Sequence, residues 1–348
     1  INLYINVLIV LFLTNFAKYY YDFSAYFNII INTRQSSQMY DIDVTFDSST
    51  GSLEAKKQQF LEEETFSKVG ANTYVSNHRV IAVKKIERRW KLLYNIALKE
   101  NHLSVYIYLT KKPLKDFFRY GPLAKEQHEW FFNATYYLFY YPLFWYLAYQ
   151  KNMFALHASA FQYKNKGVVV CGLEGIGKTS LGLKFLQEEG SAFLSDNLIF
   201  YDEYHVYPCY ELIRMHAGED ESMWRGKFER LNTFNILKDF FRPTFSSNNK
   251  GMKVGVVIFP EFASKFCVKE LTLEDALHRA ITLSSLPSEL SNFIEFKSLF
   301  NLLHQAKDVY LNQYTSLAKV WEKAKCLRVA MPKADGLEAN YQRLKDVI

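Results

Sequence analysis

A short glycine-rich segment between two apolar runs constrains this chain more than any other feature. Residues 172–179 read Gly-Leu-Glu-Gly-Ile-Gly-Lys-Thr, which fits the pattern G-x-x-x-x-G-K-[ST] at every fixed position. Residues 168–171 are small and apolar, as in a buried strand, and leucine and phenylalanine recur over residues 181–186 at helical spacing. The segment therefore predicts a strand, a glycine loop and an amphipathic helix in direct succession.

This succession supplies the parts of a phosphate-binding loop. We expect the three loop glycines to adopt positive φ and to turn N–H groups inward, beside the partial positive charge of the helix N-terminus. The lysine is expected to reach the β- and γ-phosphates of ATP, and the threonine hydroxyl to ligate Mg²⁺. The predicted nucleotide-binding residues are Gly172, Glu174, Gly175, Ile176, Gly177, Lys178, Thr179 and Ser180. The alternative interpretation is a glycine-rich turn that only joins a strand to a helix.

The composition narrows the classes of partner and compartment. The 348 residues carry a net charge of +6 without a long basic block, so a nucleic-acid partner is not indicated. The four cysteines lie far apart and no C-x-x-C pair occurs, which argues against a zinc module or a disulfide framework. Reduced thiols of this kind indicate a cytoplasmic protein. An uninterrupted apolar run of ~20 residues is missing, so no membrane-spanning helix is predicted.

We divide the chain into three predicted parts. Residues 1–38 form a poorly patterned extension, and because the first methionine is Met39, we expect the native chain to start near it. Residues 39–123 are predicted as a small α+β domain. Residues 124–348 are predicted as the nucleotide-binding domain, which includes a strongly aromatic helix that packs the two halves together.

Local patterns predict the main elements of these parts. Alternating residues predict strands in the smaller domain, over residues 40–46, 74–83 (as a hairpin) and 102–109. In the larger domain the patterns predict an aromatic helix over 126–150, an irregular helix over 223–241, a strand over 254–259, a Thr272-capped helix over 273–283, a helix over 316–324, a strand over 326–331 and a final helix from Gly336.

Three short motifs, taken together with their spacing, resemble the HPr kinase/phosphorylase-like group of P-loop kinases. They are Leu-His-Ala-Ser-Ala at residues 156–160, the strand and glycine loop at 167–179, and Phe-Leu-Ser-Asp-Asn at 193–197. The resemblance extends over roughly residues 155–260 and more weakly to the C-terminus. It implies an α/β fold, with a P-loop core of the HPr kinase C-terminal type beside the smaller N-terminal α+β domain.

The resemblance also implies roles for three residues outside the loop. Asp196 matches the first acidic position of the family, which holds Mg²⁺ or acts as the base for the acceptor hydroxyl. His157 matches a histidine near the phosphates, and Arg214 matches an arginine that follows a short strand. A lysine, a carboxylate and an arginine suit phosphoryl transfer, which depends on positioning and charge neutralisation. The alternatives are a turn aspartate, a core histidine and an arginine in a surface ion pair.

The chain departs from the family at two places. Asn197 stands at the second acidic position, which removes a charge that bears on metal affinity and on the reverse phosphorolysis reaction. The segment that engages the carrier protein is not recognisable after Tyr210. In length and layout the chain is more similar to HPr-kinase-like tailoring kinases, some of which phosphorylate a serine on a ribosomally made peptide.

The sequence thus favours an ATP-dependent kinase that transfers the γ-phosphate to a serine or another hydroxyl group of a peptide, protein or metabolite. Two alternatives stay open: a non-catalytic ATP-binding module that regulates a partner, and an NTPase with water as the acceptor. The acceptor, the base preference and the oligomeric state are not specified, and a homo-oligomer is compatible with these observations.

Overall fold

A computed structural model describes residues 5–9, 42–47, 51–86, 90–99, 102–109, 141–209, 213–216, 228–231, 238–243, 251–284 and 308–348. The chain is a mixed α/β protein with several sheets. The described residues divide into two compact units, the first ending at Lys151 and the second beginning at Asn152. The predicted boundary between residues 123 and 124 lies outside the described residues. The glycine loop belongs to the second unit.

The first unit contains a seven-stranded sheet in the order β1-β2-β7-β6-β5-β4-β3. Its strands are β1 (Ile5–Ile9), β2 (Ile42–Asp47), β3 (Ser67–Gly70), β4 (Thr73–Val75), β5 (Arg79–Ile86), β6 (Trp90–Lys99) and β7 (His102–Leu109). Helix α1 (Leu53–Leu61) begins after Ser52, whose hydroxyl accepts a hydrogen bond from the Ala55 N–H. Because α1 packs on the buried side chains of Ile81, Leu93 and Tyr108, one face of the sheet is covered. The predicted strands and the hairpin of this region are confirmed.

Part of the predicted aromatic helix lies at the end of the first unit. Helix α2 (Tyr141–Tyr146) is followed by a π-helical turn (Leu147–Lys151). The prolyl residue at position 142 lies in the first turn of α2, where its missing N–H leaves no helical hydrogen bond unmade. The aromatic side chains of Phe144, Trp145 and Tyr149 are buried, as predicted. The predicted residues 126–140 lie outside the described residues.

The second unit is built on a six-stranded sheet in the order β11-β9-β10-β17-β19-β18. Its strands are β9 (Ala158–Tyr163), β10 (Lys166–Cys171), β11 (Ala192–Ser195), β17 (Val254–Ala263), β18 (Cys267–Glu270) and β19 (Lys325–Pro332). The three central strands β10, β17 and β19 are parallel, whereas β9, β11 and β18 pair antiparallel to their neighbours.

The described residues of this unit contain four α-helices: α3 (Lys178–Phe185), α4 (Leu273–Leu283), α5 (Val309–Trp321) and α6 (Gly336–Lys345). Helices α3 and α6 cover one face of the sheet with a continuous apolar core. That core includes Phe161, Tyr163, Val168, Val170, Leu181, Phe185, Val256, Ile258, Leu327, Val329, Met331, Tyr341 and Leu344. Each fully buried side chain of this size stabilises the fold by about 1.5–3 kcal/mol relative to its exposed state. The cap and the extent of α4 agree with the prediction.

The described residues of this unit also form two small three-stranded sheets. One has the order β13-β12-β8, with β8 (Phe154–Leu156), β12 (Ile199–Tyr201) and β13 (Val206–Pro208). The other has the order β14-β16-β15, with β14 (Ile213–His216), β15 (Phe228–Leu231) and β16 (Lys238–Pro243). The helix predicted over residues 223–241 is therefore wrong. Phe228 and Phe241 instead lie on paired strands and pack with Leu183 and Leu186 at the C-terminal end of α3.

The topology brings three chain segments to one edge of the six-stranded sheet. Strands β10 and β9 are antiparallel, with Cys171 opposite Ala158, so the end of β10 meets the start of β9. Strand β11 is antiparallel to β9, with Ser195 opposite Ala160, so its end lies at the same edge. The glycine loop, the first residues of β9 and the turn after β11 therefore converge.

Candidate functional site

The glycine loop, residues 172–177, joins β10 directly to α3. Gly175 has φ 78° and Gly177 has φ 92°, and a Cβ atom built on either glycine meets no atom within 4 Å. The backbone conformation, not the available space, therefore requires glycine at these two positions. The prediction of positive φ is wrong for Gly172, where a Cβ atom would instead lie 2.9 Å from Cγ2 of Ile176. Close packing of the loop on itself explains that glycine.

The loop presents the N-terminus of α3. Gly177, the residue before the first residue of α3, has a left-handed backbone conformation. It provides no side-chain cap for the helix. The first N–H groups of a helix have no acceptor within the helix itself, and the helix dipole places partial positive charge there. Leu173 and Glu174 in the loop are exposed, Ile176 is half-buried over Gly172, and Ser180 is half-buried in the first helical turn. This end of α3 therefore has the local structure of an anion site.

The side chain of Lys178 is buried and folded back on the loop. Its Nζ donates hydrogen bonds to the carbonyl oxygens of Gly172 at 2.8 Å and Leu173 at 3.0 Å. Burial lowers the pKa of Lys178 below its usual value, and the negative charge of Asp196 opposes that effect. The loop thus holds an ammonium group in a poorly solvated place, next to the N-terminus of α3.

Asp196 lies in the turn between β11 and β12, and only 8% of its surface is exposed. The hydroxyl of Thr179 lies 2.9 Å from Oδ2 and 3.1 Å from Oδ1 of its carboxylate, to which it donates. The buried hydroxyl of Ser159, on β9, also donates to Oδ1. The structure therefore brings together the two residues predicted to ligate metal, Thr179 and Asp196.

Asn197 has φ 70°, a conformation that Asn and Asp adopt far more readily than other residues with a side chain. Its carbonyl oxygen accepts a hydrogen bond from the Ala158 N–H at 3.2 Å, and the Leu198 N–H donates to the Asp196 carbonyl at 2.9 Å. Ser195, at the end of β11, fixes the same turn through contacts of its buried hydroxyl with the backbone of Leu198 and Cys209. An asparagine at position 197 therefore satisfies the backbone geometry of the turn without adding a charge.

The other two predicted site residues differ in where they lie. His157 is half-buried in the bend between β8 and β9, and the two residues that follow it bond the turn at 196–197. Its backbone is therefore at the same sheet edge as the glycine loop. Arg214 lies on β14, opposite Phe240 of β16, in one of the small sheets. Its side chain lies outside the described part of the chain, so its predicted role stays a prediction.

Ser159 is a residue to which the sequence analysis assigned no role. It alternates with Phe161 and Tyr163, whose side chains pack under α3, so it lies on the same face of β9. A serine that alternates with two aromatic residues at strand spacing is the sequence signal that could have identified it.

The oxygen donors suit Mg²⁺ that arrives with a nucleotide. Within the described residues, no group of three or more His, Cys, Asp or Glu side chains could hold a metal ion by itself. A threonine hydroxyl and a carboxylate are hard oxygen ligands, and Mg²⁺ is usually held by one or two such groups together with substrate phosphates and water. The buried lysine and the positive-φ glycines beside these oxygens complete the fit.

Neither a protein-family model nor a curated protein matches this chain. Among the helices of the described ranges, none has both the length and the apolar character needed to cross a lipid bilayer.

Proposed function

We propose that this chain binds ATP with Mg²⁺ at residues 172–180 and transfers the γ-phosphate to a hydroxyl group of a peptide, protein or metabolite. The observation that carries the proposal is the contact between Thr179, at the start of α3, and Asp196, after β11. A plain turn between a strand and a helix has no need of a buried carboxylate from a separate strand. The contact supports a P-loop core, because a carboxylate next to the threonine hydroxyl could take part in holding the metal of a nucleotide bound at the loop.

Each residue of the site has a task in this proposal. The N–H groups at the start of α3 and the Lys178 ammonium bind the phosphates, so that Lys178 exchanges two loop carbonyls for phosphate oxygens. Thr179 offers its hydroxyl oxygen to Mg²⁺, and Asp196 stays close to it as the negatively charged partner. Bound Mg²⁺ neutralises charge on the phosphates during transfer.

The transfer itself replaces one P–O bond with another. The acceptor hydroxyl oxygen forms a bond to the γ-phosphorus as the bond from that phosphorus to the β-phosphate oxygen breaks, and ADP is released. The hydroxyl proton passes to bulk water, directly or through the Asp196 carboxylate. His157, whose backbone lies at the same sheet edge, keeps its proposed place near the phosphates. The acceptor is proposed as a hydroxyl on the basis of the resemblance of the three motifs.

Replacing Asp196 with asparagine tests this proposal. We expect Asp196→Asn to lower single-turnover phosphoryl transfer at least about 100-fold, because a neutral amide neither balances Mg²⁺ nor accepts a proton. We expect ATP affinity to stay within about tenfold, since the N–H groups and Lys178 still hold the phosphates. The measurement uses γ-labelled ATP with serine-containing peptides and small hydroxyl compounds, and counts free phosphate in parallel.

Asp202→Asn is the matched control. Asp202 is also a turn aspartate of the second unit, and its carboxylate accepts hydrogen bonds from the N–H groups of Tyr204 and His205 and the Tyr207 hydroxyl, each at 2.7 Å. Equal transfer in the two variants would make Asp196 a turn residue and contradict the kinase proposal. Release of phosphate to water alone would favour an NTPase, and ATP binding with no turnover would favour a regulatory module.

A further inference from the structure

We infer that Ser159 is a positioning residue for Asp196, whose carboxylate it holds in the orientation that organises Mg²⁺ on the bound nucleotide. This inference rests on the proposed function and deepens it. It assigns Asp196 to the metal and not to the acceptor proton, two roles that the sequence left open.

The carboxylate of Asp196 makes hydrogen bonds with two hydroxyl groups. Oδ1 of Asp196 accepts a hydrogen bond from the Ser159 hydroxyl, and both of its oxygens lie within 3.1 Å of the Thr179 hydroxyl. Ser159 is 3% exposed and Asp196 is 8% exposed. A carboxylate held between two hydroxyl groups in the protein interior has a fixed orientation, and one of those groups is the predicted Mg²⁺ ligand.

Ser159 lies on a strand that pairs with a neighbour on each side. It lies on β9 opposite Val170, just before the glycine loop, on the face that packs under α3. Because both neighbouring strands fix the backbone of β9, the serine hydroxyl comes from a rigid element. Asp196 itself lies in a turn, so a hydroxyl group on the neighbouring strand adds a precisely placed contact to its carboxylate.

Hydrogen-bond partners of a metal ligand affect how tightly the metal is bound. Residues that hydrogen-bond a metal-ligating group orient it, and their removal typically costs about 10–100-fold in metal affinity or activity. A purely structural serine would instead lower the stability of the turn, with equal effects on nucleotide binding in the presence and absence of metal. The dependence of binding on Mg²⁺ therefore separates the two roles.

The experiment titrates a non-hydrolysable ATP analogue into the full chain at a series of Mg²⁺ concentrations. We expect Ser159→Ala to raise the Mg²⁺ concentration for half-maximal enhancement of binding by about 10–100-fold. The affinity for the analogue in EDTA is expected to stay within about twofold, because the phosphates are held by the loop. Ser159→Thr keeps the hydroxyl and is expected to restore the wild-type Mg²⁺ dependence. Electron paramagnetic resonance of Mn²⁺ with the analogue gives an independent metal affinity.

Two further variants keep the result interpretable. Ser316→Ala removes another buried serine hydroxyl, on α5, which has no hydrogen-bond partner within the described residues, and its Mg²⁺ dependence should equal that of the wild type. Ser159→Cys keeps the volume of the side chain but donates weakly, and serves if Ser159→Ala fails to melt cooperatively. It is expected to raise the Mg²⁺ requirement in the same direction.

The outcomes also separate this inference from the proposed function. Suppose that Mg²⁺ enhances binding of the analogue by the wild type, and that Ser159→Ala and Ser159→Cys show the same Mg²⁺ dependence as the wild type. The positioning role of Ser159 is then wrong, and the proposed function stands. Equal losses of affinity with and without Mg²⁺ would also overturn the positioning role. If wild type binds no analogue at any Mg²⁺ concentration, both are wrong.

Discussion

At the scale of single residues, the turn after β11 places a charged and a neutral side chain next to each other. Asp196 is buried against two hydroxyl groups, whereas Asn197 has φ 70° and accepts the Ala158 N–H through its carbonyl. The left-handed conformation at position 197 costs most residues about 1–2 kcal/mol, and asparagine tolerates it well. The backbone of the turn therefore accommodates this asparagine, and it would accommodate an aspartate as well, so the backbone does not account for the missing charge.

Substitutions of Asn197 test the energetic cost of this backbone conformation. Alanine and glycine both remove the side-chain amide, so their difference isolates the cost of the backbone conformation. We expect Asn197→Ala to be less stable than Asn197→Gly by about 1 kcal/mol, because only glycine adopts positive φ without strain. Urea denaturation of the two variants measures the difference in unfolding free energy. Equal stabilities would show that the turn relaxes to another conformation.

At the scale of elements, helix α3 is held at its far end by helix α6. Glu188, just after α3, accepts hydrogen bonds from the Tyr341 hydroxyl and the Lys345 ammonium of α6, each at 2.6 Å. Within α3, Lys184 pairs with Glu338 of α6 at 2.5 Å. The helix whose N-terminus we propose as the phosphate site is therefore fixed at its other end.

The hydrogen bonds from Lys345 and Tyr341 lower the pKa of Glu188 below its ordinary value of 4.5. A carboxyl group with a lowered pKa stabilises the folded state fully above its unfolded-state pKa, and this contribution is lost as the pH falls through the folded-state value. We expect Glu188→Gln to lower the unfolding free energy by about 0.5 kcal/mol at pH 7 and to have a smaller effect below pH ~4. Denaturation curves at several pH values measure this.

Glu189→Gln is the control for that series, because Glu189 is exposed and adjacent in the sequence. It should leave the stability and its pH dependence unchanged. A loss in Glu188→Gln that is equal at pH 3 and pH 7 would mean that lost packing, and not the charged hydrogen bonds, stabilises this end of α3.

At the scale of the whole molecule, the second unit contains every residue that carries the proposal. Its central strands are parallel, and the glycine loop follows the C-terminal end of one of them, β10. Much of this could be predicted from the sequence, because the apolar strand, the glycine spacing and the helical periodicity are all local signals. The cap at Thr272 and the extent of α4 were predictable for the same reason.

Non-local contacts could not be predicted in this way. The residues around Phe228 and Phe241 lie on strands because these strands pair with each other and pack against α3. The local sequence pattern predicted a helix, because it contains no information on those partners. Gly172 is required by contact with Ile176, which only the folded loop displays. The role inferred for Ser159 depends on its contact with a residue 37 positions away.

The most direct test of the central claim is a titration of ATP and Mg²⁺ into wild type, Lys178→Ala and Lys184→Ala. Both lysines are buried in α3, but Lys184 binds Glu338, whereas Lys178 is the first residue of the helix and its ammonium donates to the glycine loop. We expect a roughly 10- to 100-fold loss of ATP affinity in Lys178→Ala alone, because this variant lacks a charged donor to the phosphates. Undiminished ATP affinity in Lys178→Ala, or no ATP binding by the wild type, would contradict it.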